Sequence, residues 1–97
     1  MKHNHFIVGR GQPEKLLELL NSLSIEVPNS SVYIYIDNND NLTAPILNKI
    51  KYKYRKKLDV HVTIDLPRSS NMERFIFLYS LVTDTDATAV NHELLRS

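Results

Sequence analysis

Apolar residues along this chain follow two rhythms, one of period two and one near 3.6. Phe6-Ile7-Val8 is a short unbroken run that ends at Gly9-Arg10-Gly11, the form of a buried strand entering a turn. Pro13 suits the first turn of a helix, where its missing N–H costs nothing. Leu16, Leu17, Leu20 and Leu23, with Leu19 alongside, then repeat at the spacing of an amphipathic helix. Pro28-Asn29-Ser30 reads as a loop. Val32-Tyr33-Ile34-Tyr35-Ile36 is β-branched and aromatic without a polar interruption, as expected of a strand covered on both faces. Asp37 ends it, and Asn38-Asn39-Asp40-Asn41 is a polar loop. Thr43 is placed to cap a following helix, with Pro45 in its first turn.

The segment 46–58 satisfies both rhythms. Ile46, Ile50, Tyr54 and Leu58 stand four apart, yet Ile50, Tyr52 and Tyr54 also alternate with Lys49, Lys51, Lys53 and Arg55. Its Thr-Ala-Pro start and its length favour helix over strand. Val60, Val62, Ile64 and Leu66 alternate with His61, Thr63 and Asp65, a strand with one apolar face that ends at Pro67. Ser70 and Glu73 form a capping box, and Met72, Phe75, Ile76, Tyr79 and Val82 supply the buried stripe of the helix it opens. Ala87-Thr88-Ala89-Val90 predicts a short fourth strand, and no element is assigned from Asn91 onward. The order βαβαβα(β) implies one α/β domain over 1–97. Its architecture is three-layered, around a mainly parallel sheet of three or four strands.

Composition narrows the chemistry. The chain has 97 residues, no cysteine, two glycines and four prolines. That excludes a disulfide framework, a thiolate metal site and a cysteine nucleophile. No apolar run approaches the ~20 residues of a membrane span. Met1-Lys2-His3-Asn4-His5 is too polar to lead a secretory signal, so a cytoplasmic address is expected. Twelve basic against eleven acidic residues give a net charge of +1, which does not mark the whole surface for nucleic acid.

In open α/β sheets ligands collect at the carboxyl ends of the strands. This makes Gly9-Arg10-Gly11, the loop 37–41, the loop 66–70 and the region of Asp84 the candidate rim. Gly9-Arg10-Gly11 completes neither the dinucleotide nor the Walker pattern. Arg10 can clamp a phosphate at a helix N-terminus, or it stands solvated in a tight turn. Asp37 and Asp40 can accept hydrogen bonds from a nucleoside, or they shape a polar turn. Asp84 and Asp86, one residue apart, can hold a divalent cation against a diphosphate, or they end one element and cap the next. His61-x-Thr63 is half of a two-histidine phosphoesterase signature that has no second half here, and the four histidines lack metal spacing. Lys49, Lys51, Lys53, Arg55, Lys56 and Lys57 gather half of the basic residues into one stretch with Tyr52 and Tyr54 interleaved. Such a stretch meets phosphates or an acidic partner, or simply solvates a helix.

The N-terminal part resembles the start of GT-A-type glycosyltransferases, the nucleotide-sugar-binding α/β fold. Three segments carry the resemblance. Arg10-Gly11-Gln12-Pro13-Glu14-Lys15-Leu16 leading into Leu19-Leu20-Asn21-Ser22-Leu23 is similar to their "R-x-x-P-E-x-L" turn and "L-L-x-S-L" helix. Val32 to Asp37 with Asn38-Asn39-Asp40 is similar to their second strand and its acidic end. The third segment is the Asp84-x-Asp86 pair. The resemblance implies a nucleotide or nucleotide-sugar binding domain, whether a fragment or a reduced relative. In it Arg10 meets phosphate, Asp37 and Asp40 lie at the nucleoside, and Asp84 with Asp86 hold manganese or magnesium. The alternative expectation is a non-enzymatic interaction module that binds nucleic acid or protein through 49–57. A third expectation is a small homodimer whose exposed sheet edge pairs with its twin.

Overall fold

A computed structural model describes residues 3–82 and 88–94. Within them the elements run β1 (His3–Gly9), α1 (Pro13–Glu26), β2 (Ser31–Asp37), α2 (Leu47–Tyr54), β3 (Asp59–Asp65), α3 (Asn71–Ser80) and β4 (Thr88–Leu94). A 3-10 turn over Ala44–Ile46 leads into α2. The strands pair in parallel throughout, in the order β3-β2-β1-β4.

The period of two explains the layers. Ile7, Val32, Ile34 and Ile36 share one face of the sheet with Leu16, Leu20 and Leu23 of α1 and Leu47, Ile50 and Tyr54 of α2. Phe6, Val8 and Tyr35 point the other way, onto Phe75 and Leu78 of α3. The two central strands are thus covered twice, as their unbroken apolar runs require.

The ambiguous segment 46–58 is helical only as far as Tyr54. There the Tyr54 carbonyl accepts the N–H groups of both Lys57 and Leu58, at 3.0 and 2.8 Å, and this closes the turn that leads into β3. Thr43 makes no capping bond to the turn it precedes; its hydroxyl donates to Asp40 instead. Ser70 does cap α3, accepting the Glu73 N–H at 3.2 Å, while the Glu73 carboxylate accepts from Ser69.

Two expectations need correction. The stripe predicted for α3 is displaced around the helix. Phe75 is buried as expected, but Met72, Ile76 and Tyr79 are exposed, and Arg74 and Leu78 are buried in their place. On this face Phe75 and Leu78 pack against Phe6, Val8 and Tyr35, and Arg74 reaches a carboxylate at the end of β2. The fourth strand runs Thr88–Leu94, well past Val90, and pairs along the whole of β1. Ala87 lies outside the described residues.

The order reverses at β1: the chain steps outward to β2 and β3, then β4 joins on the far side. The carboxyl end of such a reversal is the usual ligand crevice of an open α/β sheet. Here it is closed. A methyl group on Gly9 would lie 2.6 Å from Leu94 Cβ, so the two strands touch there. Behind them remains a void of about 10 Å³, room for one water at most.

Candidate functional site

The open depression lies one strand over, above the carboxyl ends of β1 and β2. It measures about 410 Å³ and is lined by Arg10, Gly11, Asp37, Asn39, Asp40, Asn41, Leu42 and Pro67. Gly11 takes φ of +60°, a conformation that L side chains rarely adopt, and so turns the chain sharply from β1 into α1. This turn holds Arg10 over the end of β2.

Asp37, the last residue of β2, shares its face with Tyr33 and Tyr35 and therefore points toward α3. It is 3% exposed, and a carboxylate so buried demands cationic partners. Arg74 supplies a two-pronged contact, Nε to Oδ1 at 3.2 Å and Nη2 to Oδ2 at 3.3 Å. Arg74 is itself 1% exposed, and its Nη1 donates to Asn71 Oδ1 at 3.2 Å. Arg10 adds Nε at 3.2 Å from Asp37 Oδ2. Two guanidiniums on one carboxylate leave a single positive charge in excess.

Arg10 differs from Arg74 in standing half exposed. Its Nη2 donates to the Arg68 carbonyl at 3.1 Å, so the side chain is held at two points. Arg68 in turn pairs with Asp65 at 3.4 Å and lies 4.3 Å from the centroid of the Phe77 ring. Its Nε is buried without a hydrogen-bond partner. Asp65 Oδ1 also accepts the Leu66 N–H, and the Asp65 carbonyl accepts Asn38 N–H at 2.8 Å. The ends of β2 and β3 are thereby tied together.

Asp40 plays a different part. Its carboxylate accepts the Gly11 N–H at 2.9 Å, the Leu42 and Thr43 N–H groups at 3.1 Å each, and the Thr43 hydroxyl at 2.8 Å. Burial pushes this carboxyl up, but the hydrogen bonds from Gly11, Thr43 and Leu42 outweigh it and hold the group below its ordinary range. The Gly11 bond ties the turn after β1 to the loop after β2, and the other three fix the shape of that loop. Asp40 shapes the depression with its carboxylate already engaged.

Of the residues singled out by sequence, Arg10 and Asp37 meet directly, and Asp40 lies beside them. Asp84 and Asp86 lie outside the described residues. Lys49, Lys51, Lys53, Arg55, Lys56 and Lys57 occupy α2 and the turn after it. That turn leads into the amino end of β3, whereas Asp37 pairs with its carboxyl end, so the cations and the depression lie apart. Arg74 escaped the sequence reading; Arg68 fell within the candidate rim loop 66–70 without being singled out, and Asp65 was placed only on the polar face of its strand. The available signal was Arg74 itself, four positions before Leu78 and on the same helical face.

At the β4 edge, His5 Nδ1 and His92 Nε2 share a hydrogen bond of 3.0 Å between stacked rings. Burial lowers the pKa of both; His92 and His3 lower His5 further. Among the described residues no group of three or more His, Asp or Glu side chains is arranged to hold a metal ion, and no helix is long and apolar enough to cross a membrane.

Compared with protein-family models, with curated protein sequences and with solved structures, the chain matches none.

Proposed function

We propose that the depression above β1 and β2 binds a nucleotide, with Arg10 as its phosphate contact. One observation carries this reading: a half-exposed arginine, fixed by Asp37 and by the Arg68 carbonyl, lines a depression of ligand size. A solvated arginine pays conformational entropy when it grips an anion; one already held loses less. The half-exposed Arg10 guanidinium suits a phosphate as a directed hydrogen-bond donor, while the Asp40 carboxylate beside it leaves the depression near neutral as a whole. Leu42 and Pro67 offer apolar walls to a base, and Asn39 and Asn41 offer amides to its edge or to a ribose. Asp37 acts by positioning Arg10, because its own oxygens already receive three guanidinium contacts.

The glycosyltransferase resemblance extends this reading to a nucleotide sugar, with a divalent cation at Asp84 and Asp86. The test separates the two levels. Thermal melts are recorded with uridine and guanosine diphosphates, each with and without manganese. At ten times Kd, binding stabilises by about 1.4 kcal/mol, a rise of about 6–10 °C for a domain of this size. Arg10→Ala removes the rise. Dependence of the rise on manganese, lost in Asp84→Asn/Asp86→Asn, supports the transferase level. No shift with any nucleotide in either condition rejects the reading.

A further inference from the structure

Between Asp40 and Asp59 the chain contains no acidic residue, and within that span six cations fall among nine positions. The fold decides where they go. Helix α2 buries Leu47, Ile50 and Tyr54 against the sheet. Asn48, Lys49, Lys51, Tyr52 and Lys53 are left to solvent, and Arg55, Lys56 and Lys57 follow, all exposed. Among the described residues none of the six cations has a carboxylate within ion-pair distance. Their fields therefore add rather than cancel.

Within this face stands a large ring. Tyr52 is 70% exposed, and the Arg55 guanidinium lies 4.4 Å from its centroid. A flat aromatic with a cation over one face, both open to water, makes a platform on which a further planar group can lie. At the end of the segment an open hollow of about 240 Å³ runs past Arg55, Lys56 and Lys57 to Asp59, whose carboxylate is paired with His61.

We propose that this face binds single-stranded nucleic acid. The cations meet successive phosphates, and a base stacks on the Tyr52–Arg55 pair. The ring separates this partner from other polyanions. An acidic peptide offers carboxylates but needs no stacking surface. An anionic membrane favours several apolar side chains inserted beside the cations, whereas here one tyrosine stands among them. A duplex hides the faces of its bases; a single strand presents them. The helix is about 12 Å long, enough for two or three phosphates, and the turn extends the track. This proposal is independent of the nucleotide site, which lies toward the other end of the strands.

The test is fluorescence anisotropy of a labelled twelve-nucleotide uridine RNA with the full chain, between 25 and 200 mM KCl. With two to four phosphates neutralised, log K falls against log salt with a slope of about −1.5 to −3. Lys51→Ser/Lys53→Ser makes the slope shallower by about 1.4. Tyr52→Ala weakens binding about fivefold or more while keeping the slope, and Tyr52→Trp restores it. Circular dichroism establishes that each variant is folded. The proposal is overturned by absence of salt-dependent binding at 25 mM KCl, or by Tyr52→Ala binding as tightly as the parent. Equal affinity for polyglutamate or phosphatidylserine vesicles overturns it as well. Displacement of the RNA by saturating uridine diphosphate, together with loss of binding in Arg10→Ala, would move the RNA to the other site.

Discussion

Asp37 and Arg74 are each nearly inaccessible, and neither is tolerable without the other. Removing the carboxylate leaves a buried guanidinium with Asn71 and the Tyr35 ring; removing the guanidinium leaves Asp37 with Arg10 alone. Breaking a buried pair costs about 3–5 kcal/mol, largely the desolvation of the orphaned charge. In urea denaturation, Asp37→Leu and Arg74→Met should each approach that loss. The double variant should lose clearly less than the sum. Strict additivity would show that the pair is not coupled. Arg10→Ala, at a half-exposed position, should change stability little, so its effect on ligand binding can be read cleanly. Asp37 was legible in the sequence because an acidic residue ending an apolar strand is unusual. Arg74 was not, since an arginine in an amphipathic helix ordinarily faces water and nothing local announces its distant partner.

Whole elements show where pattern reading succeeds and where it slips. α1 and β2 follow their patterns because apolar burial alone positions them. α3 departs, because the face it buries carries Arg74 for Asp37 together with Phe75 and Leu78, which leaves Met72, Ile76 and Tyr79 outward. Leu78→Ala should therefore cost about 2–5 kcal/mol, while Ile76→Ser should stay within about 0.5 kcal/mol. Equal losses at the two positions would restore the orientation predicted from sequence. β4 was only half legible because an edge strand needs little apolar content, and Asn91, His92 and Glu93 look like loop residues. Its docking brings a pH dependence. His5 and His92 titrate below their ordinary value when folded, so the unfolded chain takes up protons that the folded chain refuses. Their contribution is complete above about pH 6.5 and is lost as pH falls through the lowered folded values. The Tm should drop between pH 7.5 and 5.5, and His92→Gln should flatten that drop. A parent Tm unchanged over this range would exclude the mechanism.

At the scale of the molecule, the alternation of strands and helices was enough to predict a parallel three-layer fold. The pairing order was not legible, because local patterns do not say on which side of β1 the next strand lies. The order has a kinetic consequence. His3 and Thr88, partners across β1 and β4, are 85 positions apart, whereas β1 and β2 are joined by a single helix. Long-range pairings form slowly because a large loop must close first. Pulse-labelled hydrogen exchange should find β2 amides protected before those of β4, and simultaneous protection would contradict this order. On the ribosome, β1 and β2 emerge and can join while β4 is still unmade. For that interval one edge of β1, a central and buried strand of the finished sheet, is bare. A nascent chain in this state invites strand addition from a neighbour, and makes a natural client for a chaperone.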